Sequence, residues 1–166
     1  MRKQTAVLIL PVAALIVAGC GSSSSPTSST ATTSASTAKS GNSAPGPKVS
    51  AKSVASLGPV LVNEEGKTLY VFAPDKESKV TCQGECATIW PPLKLESGQK
   101  AIASGAVQSK LLGKDSDPEG GEVATYAGWP LYTYTADTSA GMASGQGLNV
   151  NGGLWYVISA SGKVVK

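Results

Sequence analysis

The 166-residue chain contains no histidine, and its one arginine is Arg2. Without histidine, a serine or cysteine nucleophile lacks its usual general base, and a Cys₂His₂ zinc site cannot be completed. Covalent haem attachment is excluded because no Cys-x-x-Cys-His motif occurs. We therefore expect no catalytic residue, no metal site and no cofactor, although Ser-Lys chemistry stays open with nothing to favour it.

Long apolar runs are also missing, except one near the amino terminus. Ala6 to Val17 spans twelve residues, fewer than the roughly 20 needed to cross a bilayer. It follows Arg2 and Lys3 and precedes Val17-Ala18-Gly19-Cys20, the arrangement of a bacterial lipobox. We expect residues 1–19 to be a lipoprotein signal peptide and the Cys20 sulfur to carry a diacylglyceryl group. The alternative is an ordinary secretion signal that ends by chance in cysteine.

Residues 20–48 form a Ser/Thr-rich segment, and Gly21 to Pro47 contains no aromatic residue. Such a composition buries too little apolar surface to offset its ordering entropy. As a flexible coil it would hold the following domain roughly 30 Å from the lipid. An O-glycosylated stalk is the alternative, since composition does not separate the two.

The remaining residues, 49–166, suffice for one hydrophobic core. All nine aromatic residues fall between Tyr70 and Tyr156, so the packed domain lies there. The positive net charge of the whole chain depends on the arginine and lysines near its amino terminus. Since no arginine follows position 2, a bidentate phosphate contact is unavailable, and we expect no nucleic-acid partner.

One short pattern occurs twice at an offset of 62 residues. Leu69 to Asp75 reads LYVFAPD, and Leu131 to Asp137 reads LYTYTAD, so both copies contain Tyr-x-aromatic-x-x-Asp. A tryptophan follows each copy, Trp90 in the first and Trp155 in the second. Internal repetition of this kind predicts two copies of one supersecondary unit, repeat one about 57–97 and repeat two about 122–163.

The periodicity within each repeat predicts a mainly β fold, a small antiparallel β domain built from two related hairpin-based repeats. One hairpin is expected from 60–62 and 68–73, and the other from 123–126 and 130–135. Tyr70 and Phe72 should share one strand face, as should Tyr132 and Tyr134. A further strand is expected at 154–159, and a helix at 101–112 is the best of the poor helical candidates.

These motifs carry a family resemblance. Together with Cys82-x-x-x-Cys86 and Trp90-Pro91-Pro92-Leu93, the repeated motif resembles that of bacterial lipoproteins described as a tandem "secreted repeat of unknown function". The resemblance covers about residues 57–166. It implies an extracytoplasmic, lipid-anchored location and a repeat architecture, and it assigns no activity. The second copy lacks both cysteines and the Pro-Pro pair, so a function that needs them exists once per chain.

With Cys20 assigned to lipid, Cys82 and Cys86 remain. An even pair in an exported protein favours a structural disulfide. A redox-active pair and a metal site are the alternatives, although the spacing is not that of thioredoxin and no histidine can complete a zinc site.

Polar and aromatic residues of both repeats are the candidates for ligand binding. Asp75 and Asp137 either cap turns through backbone N–H groups or contact a ligand beside the aromatic face. Trp90 and Trp155 should be core residues, whereas Trp129 should be partly exposed. The candidate ligand-binding residues are Tyr70, Phe72, Asp75, Trp129, Tyr132, Tyr134 and Asp137.

The acidic segment 115–120 matches half of a calcium loop, but Tyr126 stands where a bidentate glutamate is needed. An exposed acidic turn is the expected structure.

The function expected from these features is non-enzymatic. The chain is interpreted as a surface lipoprotein whose β domain binds a cell-wall component, a small ligand or a protein partner, and whose acylated Cys20 lies in membrane lipid. The alternative is an extracytoplasmic redox or cofactor-carrying protein that uses Cys82 and Cys86 or the repeated Tyr and Asp positions. A solvent-facing patch made from one aromatic repeat face would support the binding interpretation.

Overall fold

The computed structural model describes residues 44–75 and 79–166. The expected signal peptide, Cys20 and the linker as far as residue 43 lie outside the described residues. The described part contains one short α-helix, α1 (Glu85–Ile89), and three 3₁₀ turns at Ala55–Leu57, Ala73–Asp75 and Ser109–Leu111. Its strands are β1 (Lys48–Ser53), β2 (Pro59–Val62), β3 (Tyr70–Phe72), β4 (Lys94–Leu95), β5 (Ile102–Ala103), β6 (Leu112–Ser116), β7 (Glu122–Tyr126), β8 (Trp129–Pro130), β9 (Asn149–Val150) and β10 (Gly153–Val157).

These strands form three small sheets, in the orders β2-β1-β5, β3-β10-β9 and β4-β7-β6, with β8 paired to β7. Strands β1 and β5 are parallel, and the other strand pairs are antiparallel. The mainly β fold class is therefore confirmed. Within the described residues, no helix has the length and apolar character needed to cross a bilayer.

The first expected hairpin forms around Asn63. Its Oδ1 accepts hydrogen bonds from the backbone N–H groups of Glu65 (3.1 Å) and Lys67 (2.9 Å), which is how asparagine stabilises a turn. Val62 then pairs with Thr68. The hairpin is short, because the chain leaves it after Leu69 to pair elsewhere as β3.

The second expected hairpin joins β7 to β8 through Ala127 and Gly128. Both residues have positive φ, 50° and 81°, as a two-residue hairpin turn requires. Tyr126 pairs with Trp129 across this turn. The turn therefore falls where the sequence predicts it, but the predicted strand 130–135 is wrong in its length, because β8 ends at Pro130.

The two repeats interlock. Strand β3 of repeat one pairs with β10 of repeat two, with Phe72 opposite Trp155. Tyr70 and Tyr132 also exchange backbone hydrogen bonds, N–H to O=C, at 2.8 and 3.0 Å. Because each repeat completes the backbone pairing of the other, the repeats form one folding unit.

Two buried clusters lie on opposite faces of the β3–β10 pair. One contains Tyr70, Phe72, Trp155 and Val157, and the other contains Leu69, Val71 and Ile158. The expected alternation of faces along β3 is confirmed, and it separates an aromatic core from an aliphatic one.

The expected helix at 101–112 is wrong. This segment contains β5, the 3₁₀ turn Ser109–Leu111 and the start of β6. Strand β5 pairs with β1, with Ile102 opposite Lys48, so non-local pairing prevails over a weak helical pattern. The α-helix that does occur, α1, lies outside the segment in which the sequence predicted a helix.

Cys82 and Cys86 form a disulfide, with Cα atoms 5.2 Å apart. Both cysteines are buried, and α1 begins inside the closed loop and continues beyond it from Cys86 to Ile89. The helix leads directly into Trp90, whose backbone N–H bonds to the Cys86 carbonyl at 2.8 Å. The disulfide therefore constrains the backbone that leads into the buried Trp90.

Replacing both cysteines with serine should lower the free energy of unfolding by about 2 kcal/mol, the chain-entropy value for so small a loop. Urea unfolding followed by circular dichroism measures the change. Wild-type protein treated with a thiol reductant should match the double variant. Equal unfolding midpoints for the oxidised wild type and the double variant would contradict this role.

Candidate functional site

Two buried hydrogen bonds join the tyrosine of each repeat to the aspartate of the other. Tyr70 Oη donates to Asp137 Oδ2 at 2.6 Å, and Tyr132 Oη donates to Asp75 Oδ2 at 2.5 Å. All four side chains are at most 1% exposed. The repeated motif therefore provides a reciprocal pair of contacts between the repeats.

The second oxygen of each carboxylate caps its own loop. Asp75 Oδ1 accepts from Thr81 N (2.8 Å) and Thr81 Oγ1 (2.5 Å). Asp137 Oδ1 accepts from Ser144 N at 2.9 Å. The turn-capping interpretation thus describes one oxygen of each aspartate, and the contact with the other repeat occupies the second.

Burial changes the proton affinity of these groups. It raises the pKa of Asp75 above its ordinary value, because a charged carboxylate is poorly solvated there, and hydrogen bonds from Thr81 and Tyr132 offset this only in part. Burial also raises the pKa of Tyr70 and Tyr132, and the neighbouring carboxylates add to this. Both phenols therefore hold their protons to higher pH than a solvent-exposed tyrosine does.

Four aromatic rings stack into a column beside the two Tyr–Asp pairs, in the order Phe72, Trp155, Trp90, Tyr134. Successive ring centroids are 4.3, 3.9 and 4.1 Å apart, with interplanar angles of 20° or less. Each outer ring stacks on the tryptophan of the other repeat, and the two tryptophans stack on each other. In the column, as in the Tyr–Asp hydrogen bonds, residues of each repeat therefore contact residues of the other repeat.

The pair tyrosines contact this column edge-on. Tyr70 lies 5.3 Å from Trp90, and Tyr132 lies 5.2 Å from Trp155, both in T-shaped geometry. Such contacts place the positive ring edge on a negative ring face.

Gly145 belongs to the same arrangement. A Cβ at this position would lie 2.6 Å from Trp90 Cη2 and 2.9 Å from Tyr70 Cε1, so only glycine fits. Its backbone N–H also donates to Tyr70 Oη at 3.2 Å.

Neither repeat presents the expected solvent-facing aromatic patch. Tyr70, Phe72 and Tyr132 are buried, because their strand face is the one that meets the other repeat, and only Tyr134 is half-buried. Burial of Trp90 and Trp155 is confirmed, as is partial exposure of Trp129.

Trp129 lies away from the column, at an apolar groove of about 200 Å³. Strand β10 supplies Leu154 and Tyr156, which point away from the column because side chains alternate along a strand. Val71 lies opposite Tyr156 on β3, and Val164 and Lys166 complete the lining. Of the predicted ligand-binding residues, Trp129 alone lines this groove.

A larger concavity of about 490 Å³ is lined by Lys100, Ser109, Leu112 and Lys114. Lys114 is paired with Glu122 there. None of the predicted site residues lies in it, and size alone does not make it the better candidate.

The acidic segment 115–120 forms the expected turn, in which Gly120 N–H donates to the Asp117 carbonyl at 2.8 Å. Its expected exposure is wrong for Asp117, which is 6% exposed because its carboxylate pairs with Lys94 Nζ. The described residues contain no group of three or more potential metal ligands.

The sequence revealed each motif but not the partner of its residues. The signal that could have shown the pairing is the equal spacing: aspartate follows tyrosine by five positions in both copies, although its hydrogen bond goes to the tyrosine of the other repeat. Gly145 gave no signal, since a glycine between two repeat elements looks like any other turn residue.

Replacing Tyr70 or Tyr132 with phenylalanine should destabilise the domain by about 2–3 kcal/mol, because each change leaves a buried carboxylate oxygen without its donor. Tyr126→Phe is the matched control, since the buried Tyr126 hydroxyl donates to a neutral carbonyl, Ala160 O, at 2.7 Å and accepts from the backbone N–H of Gln108 at 3.0 Å. Because both partners are neutral, that variant should lose less, about 1 kcal/mol. Denaturant titration measures all three, and equal losses would show that the carboxylates add nothing.

Asp75 should also make stability depend on pH. Since its pKa is raised in the folded state, the folded protein binds this proton more tightly than the unfolded chain does. The contribution is fully present below the ordinary value of 3.8 and is lost as pH rises through the folded pKa. The free energy of unfolding of the wild type relative to Asp75→Asn should therefore increase on acidification. Parallel pH profiles for the two proteins would refute this.

The chain was compared with known proteins at the levels of family, sequence and structure. The family model described as "secreted repeat of unknown function" matches residues 53–94 and 114–159, together more than half of the chain. No curated protein and no solved structure matches. The duplicated motif, the interlocked repeats and this double match agree, and the chain belongs to the family of extracytoplasmic proteins built from the secreted repeat of unknown function.

Proposed function

We propose that the protein is a non-enzymatic lipoprotein, held at the outer face of the cell membrane by acylated Cys20, and that its β domain binds one group of a larger partner in the groove beside Trp129. The observation that carries the binding proposal is the groove itself, an apolar concavity with two aromatic side chains and a lysine.

The anchoring part of the proposal is supported by the lipobox Val17-Ala18-Gly19-Cys20 and by membership of a secreted family. Two or more acyl chains hold a protein on a membrane where a single chain would release it. The domain would then work close to the membrane surface, at the reach of its Ser/Thr-rich linker.

The non-enzymatic part is supported by the state of the motif residues. Asp75 and Asp137 are buried, and both oxygens of each carboxylate already accept hydrogen bonds. Carboxylates whose oxygens are all hydrogen-bonded within the protein are better suited to stabilising the fold than to contacting a substrate.

The volume of the groove indicates the kind of partner. Pockets that enclose a small-molecule ligand usually measure about 300–1,000 Å³, and this groove measures about 200 Å³. It therefore suits a single projecting group, such as a sugar ring or a side chain, better than a whole ligand. A cell-wall polymer or a protein partner fits this description, and the wall polymer is the simpler probe.

The proposal predicts that the mature protein co-sediments with isolated host cell walls and that Trp129→Ala abolishes this. Truncation removes the largest apolar surface of the groove, and aromatic anchors typically contribute 2 kcal/mol or more to an interface, which is a loss of about 30-fold or more in affinity. Tyr156→Ala should weaken binding similarly.

Ile102→Ala is the control, because Ile102 is an apolar residue that is more accessible than Trp129, 41% exposed, and lies outside the groove. It should bind like the wild type. Wall binding that survives both groove substitutions would overturn the site. Failure to bind walls, combined with Trp129-dependent binding of a purified surface protein, would overturn the wall polymer as partner and keep the groove.

A further inference from the structure

The aromatic column and the two Tyr–Asp pairs form one continuous system. Tyr134, half-buried, stacks on Trp90, and Trp90 stacks on Trp155. Each tryptophan also makes a T-shaped contact with a buried tyrosine. Ring contacts of this kind connect partly solvent-accessible Tyr134 to two phenols that solvent does not reach.

Each buried phenol has a proton acceptor in place. A tyrosine that loses one electron becomes a very strong acid, so its proton must leave as the electron does. Tyr70 Oη already donates to Asp137 Oδ2 at 2.6 Å and Tyr132 Oη to Asp75 Oδ2 at 2.5 Å. Burial raises the pKa of Asp75, which makes that carboxylate a better proton acceptor.

The tryptophans differ from the tyrosines in this respect. The indole Nε1 atoms of Trp90 and Trp155 are buried and have no hydrogen-bond acceptor among the described residues. An oxidised indole in the column therefore cannot pass its proton to a neighbour. A tryptophan can therefore be oxidised transiently, whereas a tyrosine can form a neutral radical by passing its proton to the aspartate.

We propose that the domain is a proton-coupled one-electron relay, in which a one-electron outer-sphere oxidant at Tyr134 draws an electron through the stacked tryptophans from Tyr70 or Tyr132. The electron leaves to the oxidant, and the phenolic proton moves from Tyr70 to Asp137 or from Tyr132 to Asp75. The products are a neutral tyrosyl radical, a protonated aspartate and the reduced oxidant. A one-electron reductant such as ascorbate returns the electron, and the proton goes back to the phenolic oxygen.

The test uses the full mature lipoprotein in detergent micelles and photogenerated tris(bipyridine)ruthenium(III) as the oxidant. Electron paramagnetic resonance and transient absorption should show a neutral tyrosyl radical that ascorbate quenches. Combining Tyr70→Phe with Tyr132→Phe should remove this signal and leave a shorter-lived tryptophan radical. A tyrosyl signal of unchanged size in the double variant would place the radical on an exposed tyrosine and overturn the proposal.

Tyr126→Phe is the matched control, because Tyr126 is equally buried but donates to a carbonyl oxygen that cannot take its proton. Its radical yield should equal that of the wild type. A loss as large as in the double variant would show that the signal reports general damage to the core.

A second measurement needs no substitution of a core residue. Formation of the tyrosyl radical in the wild-type protein should be slower in deuterium oxide than in water, because the proton moves together with the electron. Equal rates in the two solvents, or no protein radical at all, would overturn the proposal.

Discussion

Burial of two carboxylates is the constraint on which the structure depends. A charged or hydrogen-bonding group in an apolar interior is costly unless its hydrogen bonds are made. One oxygen of Asp75 and of Asp137 is satisfied within its own repeat, and the other oxygen is satisfied only when the other repeat supplies a phenol. The two halves therefore have to dock in one register, since a shift by one residue would turn both tyrosines to the opposite face of their strands.

The aromatic column follows from the same register. Phe72 and Tyr134 each stand two residues after a pair tyrosine, Phe72 on β3 and Tyr134 in the segment that follows β8. When Tyr70 and Tyr132 pair through their backbones, these outer rings are carried onto the tryptophans of the opposite repeats. A single short motif thus sets a hydrogen bond, a backbone pairing and a ring stack at once, which explains why all its positions recur together.

Much of this could be predicted from the sequence, because the relevant signals are local. Alternation along β3, the Ala127-Gly128 turn and the close cysteine pair each concern a few neighbouring residues. The swapped partners of Tyr70 and Tyr132 could not be predicted, since periodicity gives the face of a strand and not the element that covers it. The predicted helix at 101–112 was wrong for the same reason, because the structure of this segment depends on pairing with β1, which lies about fifty residues earlier.

The repeats reach the same geometry by different means, and this accounts for the single disulfide. In repeat one, the loop that caps Asp75 leads into Cys82 and the disulfide, and Gly84 N–H is bonded by Glu119 at 2.6 Å. In repeat two, the loop that caps Asp137 is held by repeat one. Thr68 Oγ1 donates to the Met142 carbonyl at 2.5 Å, and Gly145 N–H donates to Tyr70. One loop needs a covalent constraint, and the other gains its order from the docking that the paired carboxylates enforce.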